Sequence, residues 1–318
     1  MWRSPSASSS ALGRRGSVSL CACGSETSRS RGGMGGAYGI IDVHVHIMPW
    51  RMVRPEAAAS MKRDARQFEE LMRLMDDPDR FIALLDEAGV EKAGLINYVS
   101  PDIMGFTEEV NEFSARYARR YPDRLIPFGS VHPRFCKDPA GEMDRLADLG
   151  IRAIKLHPPH QLVYPNEYLN GLKALEVIYA KAIEYRMPVM IHTGTSIFPG
   201  ARNKFGDPMH VDDVAVDFPE LTLILAHGGR PLWMATCVFL LRRHRNVYMD
   251  ISSIPPQNLL AYFPQLERLA DKTMFGSDWP GPGVPGIKAN IEAFRQLPIS
   301  EEAKRKILRE TALRVFGA

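Results

Sequence analysis

Short apolar segments alternate with amphipathic segments from Gly39 to the end of the chain. Each apolar segment has the length of a buried β-strand, and a polar loop and then apolar positions at helical spacing follow it. The pattern therefore predicts eight β-then-α units. The strands are predicted at IIDVHVHI (from Ile40), KAGLINY (Lys92), LIPFGSVHP (Leu125), AIKLHPP (Ala153), PVMIHTG (Pro188), LTLILAHGG (Leu221), NVYMDISS (Asn246) and TMFGSDWP (Thr273).

The segments between the predicted strands carry helix start and stop signals. Asp77 and Pro78 form a typical helix start, and Gly89 is a typical helix end. The same kinds of signal predict further helices that start at Thr107, at Asp138-Pro139 and at Ser300.

Eight β-then-α units joined by short loops indicate parallel strands, and eight strands close a (β/α)8 TIM barrel. An open doubly wound sheet is the alternative, but it usually has a glycine-rich phosphate-binding loop after its first strand. This chain has HIMPW at that position, residues 46–50. The sequence therefore predicts an α/β protein with one TIM-barrel domain over residues 38–318.

Residues 1–37 differ in composition from the rest of the chain. They are rich in Ser, Arg and Gly, and Glu26 is their only acid. Such a segment cannot bury enough apolar surface to fold, so we predict a disordered N-terminal tail. Its composition also suits a targeting peptide. The favoured alternative is a start assigned too early, with Met34 as the initiator, because no apolar face repeats at helical spacing in the tail.

The composition disfavours several classes of protein. A formal net charge of +3 without a basic stripe argues against nucleic-acid binding. No apolar run approaches the roughly 20 residues that a membrane-spanning helix needs. The four cysteines lack zinc-finger or disulfide-framework spacing, which indicates a reducing compartment, so we expect a cytoplasmic location.

Histidines are concentrated at the ends of the predicted strands. In a TIM barrel, catalytic groups lie at the carboxyl ends of strands, so these imidazoles are expected to converge. The strand period places His44 and His46 on one face. Ile41, Val43 and Val45 are expected on the opposite face, towards the helices. Of the nine histidines, seven lie at or just beyond a strand end: His44, His46, His132, His157, His160, His192 and His227.

Neutral imidazoles and a carboxylate together suit a divalent ion, zinc above all. His44, His46 and His192 are the candidate nitrogen ligands. Asp278, in GSDWPG after the last strand, is the candidate carboxylate. An aspartate after a strand more often caps a helix, but no helix is predicted before about Lys288. The residues thus indicate one metal site that leaves room for water.

The motifs as a set resemble the amidohydrolase superfamily. IIDVHVHIMP, IKLHP, PVMIHTG, LILAHGG and FGSDWP are most similar to its amidohydrolase-related branch (amidohydrolase 2), which includes aminocarboxymuconate-semialdehyde decarboxylases. The resemblance covers the chain from Gly39 to its end. It implies a metal-dependent-hydrolase type of barrel with one divalent ion, most often zinc, and a homodimer. The implied metal ligands are His44, His46, His192 and Asp278.

The resemblance also implies catalytic roles for two residues. His227 acts as a base or polarises the substrate, and Asp278 accepts a proton from the metal-bound water and passes it to the leaving group. Zinc lowers the pKa of that water to roughly 7, which makes hydroxide available. Binuclear relatives have a carboxylated lysine after strand four. Lys155 lies two residues deeper than a strand-end ligand, so a second metal there is the less favoured alternative.

Candidate substrate-binding residues surround the expected barrel mouth. Lys155 and His157 share one face of strand four, and Arg230 has the planar fork that binds carboxylates. Trp50 and Arg51 belong to a long segment, residues 48–77, whose cationic side chains favour an anionic substrate. For each residue, core packing or a solvated surface charge is the alternative.

The favoured reaction is metal-dependent hydrolysis of an amide, a lactone or a related C–N, C–O or C–C bond beside a carbonyl group. The alternative is non-oxidative decarboxylation of an unsaturated or aromatic acid. Many benzoate-type decarboxylases of this branch have ExH on the first strand, whereas this chain has HVH. The semialdehyde decarboxylases also have HxH, so both reactions stay open. A non-enzymatic scaffold is disfavoured, because all implied ligands and His227 are present.

Overall fold

The eight strands form one parallel sheet in sequential order, each paired with the next. The structure is a computed structural model that describes residues 38–61 and 65–317. The predicted tail at residues 1–37 and Lys62 in the segment after strand one lie outside the described residues. The strands are β1 (Ile40–Val45), β2 (Val90–Leu95), β3 (Leu125–Gly129), β4 (Ala153–Leu156), β5 (Val189–His192), β6 (Leu223–Ala226), β7 (Val247–Asp250) and β8 (Thr273–Met274).

The chain at and after β8 returns to β1 and closes the sheet. Val43 N–H donates to Phe275 O over 3.0 Å, and His46 N–H donates to Trp279 O over 2.8 Å. These bonds give both edges of the sheet a backbone partner, which is how a barrel removes open edges. The predicted TIM barrel is therefore confirmed.

Helices follow the strands as the β-then-α pattern predicts. Among the described residues, no helix is long and apolar enough to cross a membrane. The α-helices are α1 (Pro55–Ser60), α2 (Ala65–Asp76), α3 (Pro78–Ala88), α4 (Glu109–Ala118), α5 (Pro139–Asp148), α6 (Pro158–Gln161), α7 (Lys173–Glu184), α8 (His210–Asp217), α9 (Met234–Arg243), α10 (Leu259–Tyr262), α11 (Ile287–Arg295), α12 (Glu301–Arg305) and α13 (Thr311–Phe316). Short 3-10 turns lie at Trp50–Met52, Glu167–Asn170, Asn203–Gly206, His227–Gly229, Pro256–Asn258 and Leu266–Lys272, and a π-helical turn lies at Lys306–Glu310.

Most of the predicted helix ends are confirmed by side-chain caps. The Asp77 carboxylate accepts from the first N–H groups of α3, and Gly89 ends that helix with a φ of 72°. Asp138 and Ser300 cap α5 and α12 in the same way. The prediction for Thr107 is wrong, because α4 begins after Glu108 and no side chain caps it.

The segment between β1 and α3 was expected to be a long loop. In its described part it contains a 3-10 turn and the helices α1 and α2 instead. Its apolar side chains Leu71 and Met75 are buried in the core, so packing accounts for the helical structure.

An inner apolar cluster fills the barrel below its carboxyl end. On β4, Ala153 packs in this cluster, and Lys155 and His157 follow on the same face. On β5, Met190 packs in it and His192 follows. Strand alternation thus leads from the apolar interior to polar groups at the mouth. The cluster consists of Ile41, Val43, Ile96, Ile126, Phe128, Ala153, Met190, Ile224, Ala226, Met274, Ala312 and Phe316.

The prediction that Ile41, Val43 and Val45 all face the helices is wrong for two of them. Ile41 and Val43 pack in the inner cluster, and only Val45 packs in the outer core between the sheet and the helices. Simple alternation therefore does not hold along β1.

A β-bulge in β1 explains the difference. Asp42 pairs with Ala93 and Val45 pairs with Leu95, so β1 has one residue more than β2 between the two pairs. An extra residue reverses the alternation of side chains beyond it. Val43 therefore points into the barrel interior, and the next residue, His44, also points inward, at the barrel mouth.

We expect Gly94→Ala to destabilise the protein by about 1–3 kcal/mol, since a Cβ there would lie 2.4 Å from the Val43 carbonyl oxygen of the bulge. Such a loss lowers the melting temperature by about 3–10 °C. Gly129→Ala on β3 is the matched control, because its Cβ would meet only side-chain atoms of Ile151 and Leu146 at 3.0–3.2 Å, which can shift. Equal melting temperatures of the two variants would contradict the close approach.

Candidate active site

Side chains from several strand ends line one cavity at the carboxyl end of the barrel. Apolar side chains, among them Met48, Met61, Met104, Phe106 and Phe198, form the rest of its wall. Five of the seven strand-end histidines therefore line the cavity together with Asp278, whereas His132 and His160 do not line it. The polar lining residues are His44, His46, Tyr98, Lys155, His157, His192, His227 and Asp278.

His44 presents an unprotonated nitrogen to this cavity. Its Nδ1–H donates to Asp250 Oδ2 over 2.9 Å, and both side chains are fully buried. Burial lowers the pKa of His44, and the charge of Lys155 lowers it further, so the ring is neutral near pH 7. Its Nε2 lies 3.4 Å from Asp278 Oδ1 and has no hydrogen-bond partner within the described part of the chain.

His46 meets the same carboxylate. The carbonyl oxygen of Ile96 can only accept a hydrogen bond, so His46 Nδ1–H donates to it over 3.1 Å. His46 Nε2 lies 3.1 Å from Asp278 Oδ1. Two acceptor atoms at this distance need positive charge between them, which a second ring proton or a metal cation supplies. Because neutral His44 points a second lone pair at the same oxygen, the arrangement fits a divalent cation.

Asp278 has a left-handed backbone conformation with a φ of 64°. Few residues with a side chain adopt this conformation, and those that do are often found at functional sites. Burial raises the pKa of Asp278, but the hydrogen bond with His46 and the positive charge of Arg230 are among the effects that outweigh burial and hold the pKa well below its ordinary value. The carboxylate is therefore ionised at neutral pH.

His227 has a similar backbone conformation, with a φ of 63°. Its Nδ1–H donates to the carbonyl oxygen of Ser252 over 3.2 Å and to the hydroxyl oxygen of the same residue over 2.8 Å, so its Nε2 carries a lone pair. Burial and the charge of Arg230 hold its pKa well below the ordinary value. One ligand atom each from His44, His227 and Asp278 lies within 4.8 Å of the others.

His192 lies beside His227, with 4.6 Å between the ring centroids. Its Nε2 is buried without a hydrogen-bond partner in the described residues. On its other side His192 stacks on His157 at 3.9 Å, and His157 stacks on His160 at 3.7 Å. Burial lowers the pKa of His192 and of His157 far below 6.5, so these two imidazoles form an uncharged wall.

Lys155 lies at the inner end of the cavity and is fully buried. Its Nζ finds no hydrogen-bond partner among the residues that the structure describes. Burial lowers the pKa of Lys155 to about 8, although the charges of Asp250 and Asp278 oppose the shift. The amine is thus largely protonated at neutral pH. A buried ammonium group without a partner favours an anionic group in the cavity.

Arg230 lies behind the cavity lining. Its guanidinium donates from Nη1 to the carbonyl oxygen of Thr195 over 3.2 Å and from Nη2 to the hydroxyl oxygen of Ser253 over 2.7 Å. It therefore joins the loops that follow β5 and β7.

The two other predicted substrate-binding residues do not line the cavity. Arg51 is exposed and pairs with Glu109 at 3.5 Å. Trp50 packs edge-on against Phe68, with 5.2 Å between the ring centroids. Both side chains therefore contact residues outside the cavity, and the sequence pattern did not indicate these partners.

Sequence patterns did not identify two further functional candidates. Asp250, at the end of β7, contacts His44 and Ser252. Tyr98, after β2, lines the cavity and shares a hydrogen bond of 3.0 Å with His160. Both residues lie at or just beyond strand ends, as the predicted histidines do, so their positions in the sequence carry the same signal.

An eight-stranded parallel barrel that gathers histidines and an aspartate at its carboxyl end has the architecture of a metal-dependent barrel enzyme. The chain belongs to the amidohydrolase family Amidohydro_2, whose family model matches residues 41–318. The resemblance seen in the sequence motifs is therefore confirmed. Members of this family are enzymes that typically bind a divalent metal ion.

Solved structures share the fold at low sequence identity. An uncharacterized TIM-barrel protein from Bordetella bronchiseptica is 24% identical, with a TM-score of 0.70 over 88% of this chain and 99% of that chain. A probable 2-pyrone-4,6-dicarboxylic acid hydrolase from Acinetobacter baumannii is 18% identical, with a TM-score of 0.63 over 88% and 100%. The 5-carboxyvanillate decarboxylase from Novosphingobium aromaticivorans, solved with manganese, is 18% identical, with a TM-score of 0.63 over 88% and 96%. No match was found among the curated proteins.

Proposed function

We propose that this protein is a metal-dependent hydrolase that acts on a small carbonyl compound carrying a carboxylate. The observation that carries the proposal is the convergence of imidazole lone pairs and the ionised Asp278 on one cavity. His44 Nε2 and His46 Nε2 lie 3.4 Å and 3.1 Å from the same carboxylate oxygen. Such an arrangement suits a cation, and the apolar walls of the cavity suit a small organic substrate.

The proposed metal ligands are Nε2 of His44, His46 and His192, and the carboxylate of Asp278. Three imidazoles and one carboxylate suit zinc, although the manganese in the decarboxylase from Novosphingobium shows that another divalent ion occurs on this fold. A bound divalent ion supplies Lewis acidity and lowers the pKa of a water molecule in the site.

Asp278 and His227 are proposed to transfer protons. The Asp278 carboxylate accepts a proton from the attacking water and passes it to the leaving group. His227 Nε2 is unprotonated, which makes it a base or an acceptor that orients the water. The tautomer of His227 argues against its donating a hydrogen bond to a carbonyl oxygen of the substrate.

Lys155 is proposed to bind a carboxylate of the substrate, with His157 beside it. The buried ammonium group has no partner in the described residues, so an anionic ligand removes an unfavourable charge. The names of the hydrolase from Acinetobacter and of the decarboxylase from Novosphingobium each specify a substrate that carries a carboxylate group. Arg230, Trp50 and Arg51 are not assigned substrate contacts, because none of them lines the cavity.

The second candidate is decarboxylation of an unsaturated or aromatic acid at the same site. The observation that favours it is the apolar part of the cavity wall, formed in part by Met104, Phe106 and Phe198. An apolar site replaces the hydration shell of a carboxylate, which promotes loss of carbon dioxide. The reaction needs one proton in exchange for the carbon dioxide released.

Release assays distinguish the two reactions. We expect metal-loaded protein, given a panel of lactones, amides and unsaturated carboxylic acids, to release acid from a lactone or amide that bears a carboxylate. Carbon dioxide release without acid release would instead establish the decarboxylase. Lys155→Met is expected to lower kcat/KM for the charged substrate by about 10- to 100-fold, because a hydrogen bond to a charged group is lost.

The neutral analogue of that substrate and Lys173→Met, a change of an exposed lysine on α7, serve as controls. If Lys155→Met retains full activity towards the charged substrate, the assignment of Lys155 is wrong.

A further inference from the structure

We propose that Asp250 is a positioning residue that fixes the ring protons of both His44 and His227. By holding a proton on each Nδ1, it leaves both Nε2 atoms unprotonated towards the cavity. This inference rests on the proposed function, because that function gives the Nε2 lone pairs their roles as metal ligand and base. The tautomers themselves are also a property of the metal-free protein.

One oxygen of Asp250 acts on His44 directly. Oδ2 lies 2.9 Å from His44 Nδ1, and no part of either side chain is exposed. An ionised carboxylate accepts hydrogen bonds and cannot donate one. The proton of neutral His44 is therefore on Nδ1, and its Nε2 is free to bind a cation. A metal-binding histidine commonly has such a carboxylate partner, which sets the tautomer and the ring orientation.

The other oxygen of Asp250 acts on His227 through two routes. Oδ1 accepts from the backbone N–H of His227 over 3.1 Å, which holds the residue in its left-handed conformation. It also accepts from the backbone N–H and the hydroxyl group of Ser252. Because the hydroxyl proton points to Asp250, the hydroxyl oxygen accepts from His227 Nδ1–H over 2.8 Å. The carbonyl oxygen of Ser252 accepts from the same Nδ1–H, which gives His227 the same tautomer as His44.

The substitution Asp250→Asn distinguishes the proposed positioning role of Asp250 from a general structural role. Asparagine has the same size, and its carbonyl oxygen can keep the three hydrogen bonds that Oδ1 accepts. Its amide nitrogen then faces His44 Nδ1. Two N–H donors cannot bond to each other, so the proton of His44 moves to Nε2 and removes the ligand lone pair. Asp250→Asn therefore preserves the packing while changing the tautomer.

The test combines two readouts on purified full-length protein. We expect Asp250→Asn to weaken zinc binding by about 10- to 100-fold, measured by competition with a chelator of known affinity. Ring ¹⁵N shifts of metal-free protein labelled in histidine report the tautomers directly, with His44 assigned by comparison with His44→Gln. Wild-type His44 is expected as the Nδ1–H form, and His44 in Asp250→Asn as the Nε2–H form.

Two further variants separate the positioning role from general destabilisation. Ser252→Ala removes a hydroxyl oxygen 3.2 Å from His44 Nδ1 but leaves the shorter bond of 2.9 Å between Asp250 and His44 in place. Its zinc affinity and its His44 tautomer are therefore expected to stay close to those of the wild type. Asp123→Asn, an exposed change in the loop before β3, is the matched control for the charge.

An Nε2–H tautomer of His44 in the wild-type protein overturns the proposal even if Asp250→Asn fails to fold. Unchanged zinc affinity together with an unchanged tautomer in Asp250→Asn overturns it too. If the wild type binds no zinc, the proposed function fails, and the shift measurement on metal-free protein still decides the role of Asp250.

Discussion

Replacing Asp278 by Asn is expected to lower kcat/KM by at least about 1,000-fold, because the change removes the proposed metal ligand and the proposed proton acceptor at once. The amide oxygen is a poorer ligand than the carboxylate, and it cannot accept a proton from water at neutral pH. The measurement is the rate with the substrate that the release assays identify. Chelator competition on the same variant should show weakened zinc binding.

Asparagine is the informative replacement because the backbone at this position restricts the choice of side chain. Asp278 has a φ of 64°, a conformation that Asn tolerates better than most residues do. The backbone N–H of residue 278 can still donate to the His44 carbonyl oxygen over 2.8 Å. The melting temperature of metal-free Asp278→Asn should therefore stay near that of the wild type, as should that of Asp123→Asn. Full activity in Asp278→Asn would refute the role of this carboxylate.

The course of the chain was largely predictable because burial and turn chemistry are local signals. The apolar segments at Ala153 and Val189 are strands, and Asp77 and Ser300 cap helices as predicted. Thr107 failed as a cap because a threonine before a helix is only a preference, and α4 begins two residues later without a side-chain cap. The helix α2 also carries a local signal, since Phe68, Leu71, Met72 and Met75 recur at helical spacing.

The side-chain directions in β1 could not be predicted, for a geometrical reason. Alternation assumes an unbroken register, and the bulge between Asp42 and Val45 is defined by pairing with another strand. His44 and His46 nevertheless both reach the mouth, because regular alternation holds from His44 through Val45 to His46. The prediction that they share a face therefore agrees with the structure, while the direction given for Ile41 and Val43 is wrong.

The strand-end positions predicted which groups of the candidate site lie together. They did not predict the contacts that set the protonation of these groups. His44 takes its tautomer from Asp250, which is 206 residues away in the sequence. Arg51 carries the charge expected of a substrate-binding residue, yet it is paired with Glu109 at the surface. Residue type and strand position indicate which groups approach the mouth, and only the packed structure shows their partners.

Removal of the divalent ion with a chelator is expected to abolish turnover and to lower the melting temperature by about 5–10 °C. An ion present at about 100 times its dissociation constant stabilises the folded state by about 2.7 kcal/mol, and each kcal/mol corresponds to about 2–4 °C for a domain of this order of size. Without the ion, the lone pairs of His44 and His46 face the charge of Asp278 with no cation between them. Activity and melting temperature, measured before chelation and after stepwise return of zinc, check this expectation.

Metal analysis completes the experiment. One equivalent of zinc per chain should restore both activity and melting temperature, since the four proposed ligands, His44, His46, His192 and Asp278, form a single set. Two equivalents would instead support a second ion held by a carboxylated Lys155. Asp278→Asn is the matched control, in which added zinc should raise the melting temperature much less. Full turnover by protein shown to contain no metal would refute the metal-dependent mechanism, because the proposed proton transfers by Asp278 and His227 act on water that the cation acidifies.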